Sequence, residues 1–281
     1  MTTLRDLVAA YLTPQLTVLL DAPSHIRAGA DVTHPTRVAA RRLRSTVRVF
    51  PELFEVEKAG RLDEESQWWA GVLGAVRDLD VQSDRLGAAL DAVPDELALG
   101  PVRRQLAEFV AVRRGAALEA LHEALDSPRY QALDAVLHGW RSDPPFTEAA
   151  DVGAKKVARY VERADKKTHQ RLAQTSKAYR RGAPDADELM HRARKAGKRH
   201  RYAVELAAPV LGKRADAIVA SRKEFQELLG EHQDSVVAEG MLRELGVLAG
   251  TSGENGFTWG LLHAREHEAA QRVVRELRRF L

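Results

Sequence analysis

The chain has 281 residues, enough for one large domain or two smaller ones, and its 43 Lys and Arg against 40 Asp and Glu leave a net charge of +3. It contains no cysteine, which excludes disulfides, thiolate metal sites and a cysteine nucleophile. No stretch approaches the roughly 18 uninterrupted apolar residues of a membrane span, and "LRDLVAAYLTPQL" is too broken by charge and Pro14 to resemble a signal peptide, so a cytoplasmic protein with no membrane partner is expected.

Ala, Leu, Arg and Glu are abundant and the alternation of strands is hard to find, which predicts an all-α chain of eight helices. The first runs near residues 2–20. The second, 34–50, is closed by Pro51, and the third covers 56–92. "VPDELALGP" separates it from a fourth over 97–138, with a break point at Pro128. "RSDPPFTEAAD", residues 141–151, has two prolines and no helical period and reads as a linker. Beyond it the pattern places helices at 152–178, at 185–208 (ended by Pro209 with Gly212), at 214–247 and at 258–281. Charge is unevenly spread along this series. Residues 151–201 hold 16 Lys and Arg against 6 Asp and Glu, a surplus of ten, and the remainder of the chain is slightly acidic.

In the second helix, at 100° per residue, His34, Arg37, Arg41, Arg44 and Arg48 share a stripe about 80° wide, while Leu43 and Val47 face away toward a core. Like charges so spaced oppose the helix, by about 1–1.5 kcal/mol over three pairs. The stripe holds no acid, and repeated phosphates would supply the missing counter-charge. A weaker stripe follows the linker, where Lys156, Arg159, Arg163 and Lys167, flanked by Lys155 and Lys166, are partly offset by Glu162 and Asp165. In "HRARKAGKRHRY", residues 191–202, His191, Arg194, Lys198 and Arg201 again share one face, whereas Arg42 and Arg199 lie off their stripes and are secondary candidates.

The two strong stripes superpose at a constant offset of 157, pairing His34 with His191, Arg37 with Arg194, Arg41 with Lys198 and Arg44 with Arg201. Downstream, "LGAVRD" (73–78) matches "LGEHQD" (229–234) at an offset of 156, pairing Gly74 with Gly230 and Asp78 with Asp234. This predicts an internal duplication: a four-helix repeat in 1–140, a linker at 141–151 and a second repeat in 152–281, forming two bundles related by a pseudo-two-fold axis. Asp78 and Asp234 are expected to pair with motif arginines. "HAREH", residues 263–267, matches an inverted zinc-protease pattern, but Glu268 and Glu276 lie on the same helix and could not readily close a tetrahedral site, so no metal ligand is assigned. Beside two plain solvated faces, the residues allow a ligand of repeated phosphates, nucleic acid with only Tyr160 and Tyr202 near the stripes for stacking, or phosphotransfer through His34 or His191.

The "H-x-x-R-V-x-x-R-R-L-R" of 34–44, the "LGxxRDxDV" of 73–81, the "H-x-x-R-K-x-x-K-R-x-R-Y" of 191–202 and "LGEHQD" resemble the CHAD domain, the conserved histidine α-helical domain, across essentially the whole chain. The resemblance implies paired bundles with a basic cavity between them, binding of inorganic polyphosphate and association with polyphosphate granules, with metal chelation or phosphoryl acceptance by His34 and His191 as the alternative. Granule proteins or a triphosphate tunnel enzyme are the implied partners. It implies a non-catalytic, stand-alone module without cofactor, whose groove is lined by His34, Arg37, Arg41, Arg44, Arg48, His191, Arg194, Lys198 and Arg201, with Arg159 and Arg163. Two departures stand out: Glu205 occupies the position matching Arg48, and His200 replaces the Leu of "RRLR" at a core-facing position.

Overall fold

A computed structural model describes residues 2–277, apart from the side chain of Glu224. Nine α-helices are described: α1 (Leu4–Arg27), α2 (Thr33–Val49), α3 (Val56–Asp91), α4 (Val102–Asp126), α5 (Pro128–Ser142), α6 (Val157–Arg181), α7 (Ala186–Leu211), α8 (Lys213–Thr251) and α9 (Phe257–Leu277). Residues 278–281 of the expected last helix lie outside the described residues. The fold is all-α, and among the described residues extended pairing is confined to two isolated bridges, Thr3 with Gly153 and Phe54 with Phe146. Among them no helix is long and apolar enough to cross a membrane.

Local chemistry sets most of the boundaries. Thr3 and Asp6 form a reciprocal capping box that starts α1. Ser127 accepts the Tyr130 amide with Pro128 at the first helical position, so 97–138 is two helices, α4 and α5. Two expected helix ends move. α1 continues through Pro14 and Pro23 to Arg27, seven residues past the expected end, because Leu12, Leu16, Leu19 and Ile26 keep one buried face across both. α7 likewise runs through Pro209 and stops only where Gly212 adopts φ 53°. α6 starts at Val157 rather than 152, because Val152 and Ala154 are engaged in backbone bonds with Leu4 and Thr2.

The packing order repeats along the chain. α1 packs on α2, α2 on α3 and α3 on α4; α6 packs on α7, α7 on α8 and α8 on α9. α5 packs on α1, α3 and α4 and stands outside this series. α2 also contacts α7, and α3 contacts α8, so like elements of the two series meet. The apolar clusters cross the 141–151 linker. One joins α1, α2, α3 and α5 to Val157 and Val161 of α6 and Ala203 to Ala207 of α7. A second joins the end of α3 and α4 to Leu242 and Leu245 of α8 and Trp259 of α9, and a third lies among α6 to α9.

Candidate functional site

The α2–α7 contact places the two basic motifs against each other. On α2, Ala39, Ala40, Leu43 and Val47 turn into the core. On α7, Ala193, Ala196, Ala203, Val204 and Ala207 do the same, and small residues permit close approach. The polar faces that remain enclose a cavity of about 520 Å³. It is lined by Arg37, Arg41, Arg44, Ser45 and Arg48 of α2, Gln67, Ala70 and Gly71 of α3, and His191, Arg194, Lys195, Lys198, Arg199 and Tyr202 of α7. Eight of these are Lys or Arg, and none is a carboxylate.

Acids stand just behind the lining. Arg37 donates to Asp78 at 2.7 Å, Arg44 to Asp63 at 3.1 Å and to Gln67 at 2.6 Å, and Arg48 to Asp63 at 2.5 to 2.9 Å. The counter-charge missing from α2 is thus partly supplied by α3, which corrects the expectation that a ligand must supply it all. The same relation recurs around α7. A Cβ on Gly74 would meet the Arg37 guanidinium at 3.2 Å, one on Gly230 would meet that of Arg194 at 3.9 Å, and Asp234 is the carboxylate that chiefly offsets Arg194. In each "LG" motif the glycine leaves room for an arginine and the aspartate four residues on faces it.

Arg41 of α2 and the cavity-lining cations of α7 are poorly compensated. Among the described residues, Arg41, Arg194, Lys195, Lys198 and Arg199 form no ion pair within 4 Å, and the Nε atoms of Arg41 and Arg194 are buried without a hydrogen-bond partner. Burial first, and then neighbouring cations, press Arg194, Lys195 and Arg199 below their ordinary pKa values. Lys198 is pushed down to about 7 by the same causes. His191 donates from Nδ1 to Gln233 Oε1 at 2.7 Å, and burial chiefly lowers its pKa.

The structure does not bring every candidate to this cavity. His34 is exposed near Arg37, Arg41 and Arg77 and does not line it. Arg42 and Arg201 turn instead toward Glu205, at 3.0 and 3.4 Å, and toward the Tyr202 ring. The Glu at the position matching Arg48 thus draws two cations away. Arg163 pairs with Glu52 at 2.8 Å and, with Lys167 and Tyr160, lines a neighbouring cavity of about 210 Å³ that shares Arg48 and Arg199 with the first. Lys156, Arg159 and Lys166 are exposed and line neither, and Lys156 precedes α6 rather than lying on it. His200, 2 % exposed, occupies the expected inward position and faces Asp165 at 3.7 Å. In "HAREH", Glu266 is bound by Arg85 at 2.7 Å and His267 faces Glu239 at 3.5 Å. Among the described residues no group of three His, Asp or Glu is placed to hold a metal ion.

Fold and site together define an all-helical protein with a cation-lined cavity between two matching helices. The sequence model of the CHAD domain matches residues 10–243, and the chain belongs to the CHAD-domain family. It is 34% identical over 277 residues to the Mycobacterium tuberculosis proteins MT2285 (strain CDC 1551 / Oshkosh) and Rv2226 (strain ATCC 25618 / H37Rv). Those matches cover 97% of this chain and 52% of each relative, so the chain spans about half the length of the curated relatives it matches. Among solved structures, the CHAD domain from the plant Ricinus communis aligns with a TM-score of 0.68 at 26% identity, over 98% of this chain and 92% of that one. PptA from Streptomyces chartreusis aligns with a TM-score of 0.77 at 19% identity, over 99% of both chains, a likeness of fold.

Proposed function

We propose that this protein binds inorganic polyphosphate in the cavity between α2 and α7, without catalysis, in the cytoplasm and at polyphosphate granules. The observation that carries the reading is the lining itself. Eight Lys and Arg side chains face one space with no carboxylate among them, and five of those cations, Arg44, Arg194, Lys195, Lys198 and Arg199, are pressed toward their neutral forms by burial. A polyanion relieves that destabilisation. Guanidinium forks and ammonium points suit phosphate oxygens along a linear chain. Granule proteins or a triphosphate tunnel enzyme are the partners this reading suggests.

Nucleic acid fits the cavity less well. Tyr202 is 2 % exposed with Arg201 over its ring at 4.9 Å, so it is not free to stack a base. Polyphosphate of defined length should therefore displace a labelled oligonucleotide at far lower phosphate concentration than the reverse. The structure also guides the choice of variants. Arg37→Glu combined with Arg194→Glu, the pair the repeat suggests, places new acids beside Asp78 and Asp234, whereas Arg41→Gln combined with Arg199→Gln removes two cations without ion-pair partners. Each is expected to weaken polyphosphate binding about ten- to a hundredfold at unchanged helicity. Parental affinity in the double variant would place the site elsewhere. Phosphate released from polyphosphate, or acid-labile phosphate left on His191, would overturn the non-catalytic part.

A further inference from the structure

Lys198 is placed differently from the lysines that precede and follow the start of α6. Lys155, Lys156, Lys166 and Lys167 are exposed to solvent. Lys198 is half-buried in the cavity wall, with Arg41 of α2 and Arg194 and Arg201 of α7 as its strongest cationic neighbours and Asp234 of α8 as the acid facing it. Among the described residues it forms no ion pair. An amine among guanidinium groups, in a space suited to phosphate, meets the requirements for attack on an activated acyl group whose leaving group is phosphate.

We propose that Lys198 is an acylation site, modified without an enzyme by acyl phosphates that the surrounding arginines hold by their phosphate end. This rests on the anion-binding reading of the cavity. The neutral amine of Lys198 attacks the acyl carbon of the mixed anhydride. The N–C bond forms, the C–O bond to phosphorus breaks, and the electron pair leaves on inorganic phosphate, which Arg41 and Arg194 receive. The amine proton passes to water. Burial and cations hold the ammonium down to about 7; the held acyl phosphate gives back part of that depression, and the neutral fraction still exceeds that of an exposed lysine. Depressed lysines beside other cations are activated nucleophiles for this reason. The product is an uncharged amide, which removes one cation from the lining and weakens polyanion binding.

The test incubates the intact protein with acetyl phosphate and follows each lysine by peptide mass spectrometry. Lys198 is expected to acetylate at least tenfold faster than the four lysines around the start of α6. Excess inorganic phosphate is expected to suppress that preference, and an uncharged acetylating reagent is expected to show a smaller one. Equal rates at Lys198 and the exposed lysines overturn the proposal. So does a preference that neither inorganic phosphate nor the loss of donor charge reduces. Polyphosphate binding is measured on the same preparation. A protein that binds polyphosphate but spares Lys198 sinks this inference alone, and selective acetylation without polyphosphate binding sinks only the earlier one.

Discussion

At the scale of single residues, the proposed polyphosphate binding implies that the cavity trades folding stability for anion affinity, and Lys198 is where that trade is measurable. Arg194, Arg41 and Arg201 oppose its charge and Asp234 favours it, after burial, so its pKa falls from 10.5 to about 7. Between those values the unfolded chain binds more protons than the folded one. The penalty on folding is therefore complete below about pH 7 and is relieved as pH rises toward 10.5. A bound polyanion favours the ammonium and reverses the shift. Binding at pH 8.5 is expected to take up about one proton, read by calorimetry in buffers of different ionisation heat. Lys198→Arg should remove that uptake, and an uptake unchanged in the variant would assign it to another group. Gly74 and Gly230 allow a second comparison. Ala at 74 drives its Cβ to 3.2 Å from the Arg37 guanidinium, whereas Ala at 230 meets Arg194 at an ordinary 3.9 Å. Gly230→Ala is expected to stabilise by about 0.5–1 kcal/mol in urea unfolding through helix propensity. Gly74→Ala should gain less than Gly230→Ala and weaken polyphosphate binding by displacing Arg37. Equal gains without loss of binding would show that Arg37 is not seated by that glycine.

At the scale of elements, α2 and α7 were legible because charge at helical spacing survives in one dimension. Arg37, Arg41, Arg44 and Arg48 lie on one face, as do His191, Arg194 and Lys198, and all seven line the cavity. The rest depended on neighbours that spacing does not reveal. Asp63 lies on α3, so the partners of Arg44 and Arg48 could not be read from α2. Glu205 was visible as a departure, but its hold on Arg42 and Arg201 needed the α2–α7 contact. Lys195 and Arg199 fall off the stripe of α7, yet both line the cavity, because the packing of α2 against α7 and not the stripe sets its width. α3 and α8 carry another element-scale dependence. Arg85 of α3 binds Glu231 and Ser235 of α8 and Glu266 of α9, and its side chain is 21 % exposed against 10 % for Glu266. Arg85→Ala leaves the Glu266 carboxylate buried without its partner and is expected to cost about 3 kcal/mol in urea unfolding. Arg85→Leu with Glu266→Leu should recover most of that loss. A loss under about 1 kcal/mol for Arg85→Ala would mean that the network is as weak as a surface ion pair.

At the scale of the molecule, two like helices meeting face to face concentrate charge that the overall +3 conceals. Eight cations line the main cavity against three nearby carboxylates, Asp63, Asp78 and Asp234, a surplus of five. The neighbouring cavity adds Arg163 and Lys167 and shares Arg48 and Arg199 with the first, so a chain that outgrows one space meets further cations in the next. If each surplus cation engages one phosphate and releases its counterion, log affinity should fall against log salt with a slope of about −3.5 to −4.5 for long polyphosphate. A short oligophosphate cannot engage all five, so its slope must be shallower. Titration of both lengths across a salt series checks this directly. Equal slopes near −1 would mean that the ligand touches only scattered surface lysines, because a lining of eight cations engages more charges as the chain fills it.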